Sequence, residues 1–169
     1  MAYKDSTTPI GERDLFRTPL PVYRWLDDIY NFSVDAACTA ESELAQIGYD
    51  FPRKNAFYID WFADCRSMMV KPHIFINPPY SEIPRWVDKV ISEANKGCTI
   101  AFLVPSPNGE SWHRTAFDAA SELILINGRL AFIGANGRPV NGNNRGSCIY
   151  IFRPKAKGAP CQVWMKDRD

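Results

Sequence analysis

His73-Ile74-Phe75-Ile76-Asn77-Pro78-Pro79-Tyr80 is the stretch on which the fold of this chain turns. His73 to Ile76 has the character of a strand buried in a sheet. Proline brings no N–H to a sheet ladder and disfavours helix before it, so the strand stops and the chain leaves on a stiff, extended path. The Asn77 side chain is thereby held beyond the sheet edge. An amino group conjugated with a purine ring is a poor nucleophile, and it gains reactivity when oxygens accept its hydrogens and draw its lone pair out of conjugation. The Asn77 side-chain oxygen and the Pro78 carbonyl are the candidate acceptors, and Tyr80 offers a flat ring for stacking. Asn77, Pro78, Pro79 and Tyr80 form the candidate catalytic set, and methylation of a planar amino or amide nitrogen is the expected chemistry. Asn-Pro and Pro-Pro also make plain turns, so the surrounding elements have to decide.

Upstream, Pro19 and Pro21 lead into an amphipathic helix over Val22–Tyr30, with Val22, Trp25, Leu26 and Ile29 at helical spacing. Phe32-Ser33-Val34-Asp35 reads as a short strand that delivers Asp35 to a sheet edge, with Ala36 and Ala37 allowing close approach of a ligand. Residues 40–56 are weakly patterned, read as a short helix from Glu41 and a loop through Pro52. Phe57–Trp61 reads as a second strand ending in Asp60. Downstream, Trp86, Val87, Val90 and Ile91 mark a helix over Ile83–Ala94 that Gly97 ends. Cys98–Val104 is a continuous apolar strand.

Trp112–Ala120 reads as a further helix and Glu122–Ile126 as a further strand. Asn127-Gly128 signals a tight hairpin into Arg129–Ile133. Residues 134–146, rich in glycine and asparagine, read as a surface loop before a last strand, Ser147–Phe152. Strands alternating with helices, closed by a C-terminal antiparallel hairpin, indicate an α/β fold: an open, mostly parallel sheet with helices on both faces.

With 169 residues the chain fits one domain with a real core. A net charge of +1 argues against holding nucleic acid by bulk electrostatics, so any such contact would be a local patch. Arg153, Lys155, Lys157, Lys166 and Arg168 offer one candidate, a solvated tail being the plainer reading. Five dispersed cysteines and two histidines give no metal-binding spacing, and the thiols are expected reduced and mostly buried. The polar start and the absence of a long apolar run indicate neither a secretory signal nor a membrane span, so a cytoplasmic protein is expected. The expected division is a loose arm over 1–14, a domain over 15–153 and a basic extension over 154–169.

The ordered set Phe16-x-Thr18-Pro19, Val34-Asp35-Ala36-Ala37, Asp60-Trp61, Asn77-Pro78-Pro79-Tyr80-Ser81, Leu103-Val104-Pro105, Trp112-His113 and Gly128-Arg129-Leu130-x-Phe132 closely resembles the small phage-type DNA N6-adenine methyltransferases of the Dam family. The resemblance implies a Rossmann-like methyltransferase fold, S-adenosylmethionine as donor with S-adenosylhomocysteine as product, and adenine in DNA as acceptor. It further implies a cofactor set of Phe16, Thr18, Asp35, Ala36, Ala37, Asp60, Trp61 and Asn77. Asp35 suits the donor's ammonium, Asp60 its adenine amino group with Trp61 or Phe62 beside the ring, and Phe16 with Thr18 the closure over its methionine end. Glu41 is the candidate for the ribose. Alanines stand where many methyltransferases carry a glycine-rich turn.

DNA would be the partner, with the target base flipped out of the stack against Tyr80 and no metal required. Ser81, Arg129, Arg138 and Arg145 are the candidate DNA contacts, the two last from the 134–146 loop. Two rivals remain at this point. One is methylation of a protein glutamine, since the same site grips any planar amide. The other is a silent DNA-binding protein that keeps the fold.

Overall fold

The structure, a computed structural model, describes residues 14–50, 53–140, 145–154 and 159–168. Among these residues four α-helices and seven strands follow in the order α1 (Leu20–Tyr30), β1 (Val34–Cys38), β2 (Ile47–Asp50), α2 (Trp61–Ser67), β3 (His73–Ile76), α3 (Ile83–Lys96), β4 (Thr99–Pro105), α4 (Ser111–Ala119), β5 (Glu122–Asn127), β6 (Ser147–Phe152) and β7 (Gln162–Asp167). All seven strands join one sheet in the order β2-β1-β3-β4-β6-β5-β7. β2, β1, β3 and β4 are mutually parallel, and β7 runs parallel to β5. β6 is antiparallel to both β4 and β5. The mostly parallel α/β sheet expected from the strand and helix pattern is therefore present.

Alternation along each strand sends residues to two cores. Ile74, Ile76, Ile100, Phe102, Val104, Tyr150 and Phe152 meet α2, α3 and α4 on one face. Phe75, Ala101, Leu103, Ile124, Ile149 and Ile151 meet α1 through Val22, Tyr23 and Leu26 on the other. Strands covered on both sides read as unbroken apolar runs, which is why β3 and β4 are legible from their residues alone. α1 opens with proline in its first turn and ends at Asn31 in the left-handed region. α3 buries Ile83, Trp86, Val87, Val90 and Ala94, and stops at Gly97, whose φ is 127°.

Several expected elements differ. Residues 47–50, read as loop, are the edge strand β2. Gly48 there is closely covered: a Cβ would lie 2.7 Å from Cys38 Sγ and 2.9 Å from the Glu43 carboxylate, so those side chains would have to shift. Phe57–Trp61 is not a strand. Asn55 accepts from the Phe57 N–H at 3.0 Å to start a 3₁₀ turn, and Asp60 caps α2 by accepting from the Ala63 N–H at 2.9 Å. Arg129–Ile133 does not return as a hairpin strand, because β6 and β7 already occupy the two edges of β5. Leu130 and Phe132 instead plug the α1-side core. β6 is not the last strand, since β7 forms within the stretch read as a basic extension; Lys155 and Lys157 lie outside the described residues, as does nearly all of the 1–14 arm.

Candidate active site

The cleft lies over β1 and β3 on the α1 side. Asp35 and Ala37 alternate on β1 and line it, as do Phe75 and Asn77 from β3 and the turn beyond. Asp35 stands across from Phe75 in the β1–β3 register, so a buried acid and an aromatic ring share its floor. Asp35 is within β1 and not at its end, the strand continuing to Cys38 through an irregularity. The loop from β1 to β2 adds Thr39, Glu41, Ser42 and Leu44, and residues 14–18 with Ala135 close the other side.

Asp35 is 4% exposed. Its two oxygens accept one main-chain N–H each, from Ala37 and Leu44, both at 3.3 Å. Burial pushes its carboxyl up to about 7, against the lowering effect of those two N–H groups. Among the described residues no cation pairs with it. A buried carboxyl facing a cleft with only two long hydrogen bonds is poised to receive a cationic ligand.

Asn77 donates its side-chain N–H to the Phe16 carbonyl at 3.0 Å. Its side-chain oxygen is buried and accepts nothing among the described residues. The Tyr80 hydroxyl is likewise buried without a partner, and burial raises it far above the usual phenol range. The Tyr80 ring meets Phe132 edge-on at 6.3 Å between centroids. Buried polar atoms are nearly always satisfied, so an orphaned amide oxygen beside a cleft marks a place for a donor from outside the chain.

The 14–18 segment crosses the cleft as a strap. Arg17 exchanges main-chain bonds with Ile133 at 2.8 and 3.0 Å, and the Phe16 ring stacks on Phe132 at 6.4 Å. At its other end Asp14 accepts from the Ser81 N–H at 3.2 Å and from the Ser81 hydroxyl at 2.6 Å. Phe132 and Ile133 thus serve as the strap's seat.

Phe16, Thr18, Asp35, Ala37, Glu41 and Asn77 of the expected cofactor set line the cleft. Ala36 does not: its side chain is buried in the opposite core. Asp60 and Trp61 are also elsewhere. α3 leaves the carboxyl end of β3 and returns to the amino end of β4, and its last residue, Lys96, pairs with Asp60 at 3.1 Å. The start of α2 therefore sits at the end of the sheet opposite the cleft. Trp61 is fully buried, its ring N–H donating to the Ala56 carbonyl at 2.9 Å, so it offers no stacking face to a ligand. Leu15, Arg17, Thr39, Ser42, Leu44, Phe75 and Ala135 were not singled out from the sequence. Of these only Phe75 had an available signal, its two-residue spacing from Asn77.

Of the expected DNA contacts, Ser81 is engaged with Asp14, and Arg145 pairs with Glu110 at 2.6 Å. Arg129 and Arg138 are exposed. Arg129 follows β5, which runs parallel to β4, so it stands on the same rim as the cleft. Residues 141–144 of the loop lie outside the described residues. Among the described residues no cluster of His, Cys, Asp and Glu is able to hold a metal, and no helix is long and apolar enough to cross a membrane.

The sequence profile of the family described as DNA N-6-adenine-methyltransferase (Dam) matches residues 5–167. The DNA N-6-adenine-methyltransferase of Escherichia phage T1 is 32% identical over 173 aligned residues, covering 92% of this chain and 69% of that protein. The protein of the same name from Haemophilus phage HP1 is 27% identical over 157 residues, covering 89% of this chain and 85% of its own length.

Proposed function

Because the chain belongs to the DNA N-6-adenine-methyltransferase (Dam) family, we propose that its cleft binds S-adenosylmethionine and that it methylates the N6 amino group of adenine in DNA. Family membership supports the DNA reading over its two rivals, and the phage relatives suit work inside a bacterial host. The observation that carries the chemistry is the pair of unmet needs in one cleft: among the described residues, a buried carboxyl meets no cation and a buried amide oxygen meets no donor. The strand order, with one antiparallel strand inserted beside a parallel set, is compatible with the Rossmann-like methyltransferase arrangement.

Asp35 is the partner for the donor's ammonium, and Thr18 and Phe16 cover its methionine end. Glu41, exposed at the cleft rim, remains the proposed ribose ligand. S-adenosylmethionine, when bound, supplies an electrophilic methyl group on a sulfonium. The protein's own part is to present the base: Asn77 and the Pro78 carbonyl accept the two amino hydrogens, and Tyr80 stacks on the flipped ring. Holding these acceptors in place before reaction supplies preorganisation without a covalent intermediate. Arg129, Arg138 and Arg145 are the proposed DNA contacts.

The test incubates the protein with labelled S-adenosylmethionine and unmethylated bacterial DNA, and separately with a bacterial protein extract, then digests the DNA to nucleosides. Label in N6-methyldeoxyadenosine is expected. Label confined to protein would overturn the reading.

A further inference from the structure

Asn77 has two amide orientations of nearly equal shape, and they offer opposite chemistry to a base. With the oxygen towards the substrate it accepts an amino hydrogen; with the NH₂ towards the substrate it presents donor to donor. Rotation about the last side-chain bond is soft, so the turn by itself does not select between them. The selection comes from the strap. The Phe16 carbonyl accepts only, and at 3.0 Å it takes the Asn77 N–H, which leaves the oxygen as the buried, unpartnered atom. The reverse orientation sets two carbonyl oxygens against each other.

Phe16 is placed by what holds its neighbours. Arg17 is tied to Ile133 on one side, and on the other Asp14 accepts from both the main chain and the hydroxyl of Ser81, the residue after Tyr80. The catalytic turn and the strap are thereby bolted together at both ends of the four residues Asn77–Tyr80. Building on the proposed activity, we infer that Asp14 and Ser81 are positioning residues: their bond sets the strap so that the Phe16 carbonyl turns the Asn77 amide oxygen towards the target amino group. The assignment replaces a DNA contact for Ser81, whose two donors are already spent on Asp14.

Leu15, Phe16, Arg17 and Thr18 also wall the cleft. A ligand filling the cleft supports the strap, and the strap orients the amide, so cofactor binding and amide orientation reinforce each other reciprocally.

The experiment pairs kinetics with nitrogen-15 NMR of the Asn77 side-chain amide, identified by its loss in Asn77→Ala. Ser81→Ala removes one of the two bonds to Asp14 and Asp14→Ala removes both. At saturating donor and DNA, kcat is expected to fall by about threefold in Ser81→Ala and about tenfold in Asp14→Ala, in the range for lost hydrogen bonds. Ser81→Thr, which keeps the hydroxyl, should restore it. In both alanine variants the Asn77 amide protons should move towards free-amide positions and exchange faster, and adding S-adenosylmethionine should slow exchange in the wild type. An Asn77 amide unchanged in both alanine variants would overturn the inference, as would a Ser81→Ala effect seen only as a raised KM for DNA with Asp14→Ala silent. The NMR arm needs no methyl acceptor, so its failure is distinct from a failure of the methylation assay on the wild type.

Discussion

Asn77 and Asp35 make opposite demands on a ligand, and each predicts its own loss. Asn77→Ala removes a preorganised acceptor and should cost on the order of a hundred-fold in kcat at saturating donor, by analogy with loss of an oxyanion donor. Wild-type turnover in that variant would remove Asn77 from the chemistry. Asp35→Ala should weaken S-adenosylmethionine by about 1.5–3 kcal/mol, the range for a hydrogen bond to a charged group. The raised carboxyl adds a pH dependence. Asp35 must be ionised to hold an ammonium, so donor affinity in calorimetry should fall as pH drops below about 7, and this dependence should vanish in Asp35→Asn. Stability of the unliganded protein runs the other way. Asp35 keeps its proton to about 7 folded but to 3.8 as an ordinary carboxyl, so its ionisation removes stability as pH rises through that window.

Among the elements, α2 and its seat on α3 explain why Asp60 and Trp61 do not end a strand. Their sequence suggests a strand end with a ligand acid; in the fold they open a short helix over a buried charge. Glu93, fully buried, accepts the Trp61 main-chain N–H at 3.0 Å and the amines of Lys89 at 2.6 Å and Lys96 at 2.9 Å. Lys89 also donates to the Ile59 carbonyl at 2.6 Å. Glu93→Ala would leave the largely buried Lys89 without its carboxylate and should destabilise the fold by about 3–5 kcal/mol in urea unfolding. If the urea midpoint does not move, the network contributes nothing to the seat of α2. β7 makes the same point at the other edge. Its pairing with β5 and the edge-on contact of Trp164 with Trp25 at 6.1 Å need partners far along the chain, so no local pattern announces it.

For the whole molecule, charge limits how DNA is held. A net +1 leaves no general attraction, and the exposed arginines Arg129 and Arg138 follow the carboxyl ends of the strands where the cleft opens. Binding should therefore depend on salt only modestly, with a slope of log affinity against log salt no steeper than about −4, as for a handful of phosphates. A slope near zero in filter binding or fluorescence titration would argue against duplex DNA as the ligand, and a far steeper one would demand a larger basic surface than this rim. The sequence by itself determined what depends on neighbours in the chain. It set the apolar runs of β3 and β4, the helical spacing of α1 and α3, the proline stop after Asn77, and the placing of Asp35 on a short strand. Only the tertiary structure decided which edges of β5 were taken and that Leu130 and Phe132 would be core plugs. It alone revealed β2, which forms by parallel pairing with β1. It also put Asp60 at the far end of the sheet and laid the strap over Asn77. These outcomes rest on contacts between residues not adjacent in the chain, where each side chain's role is set by the surface it meets and not by its neighbours in sequence.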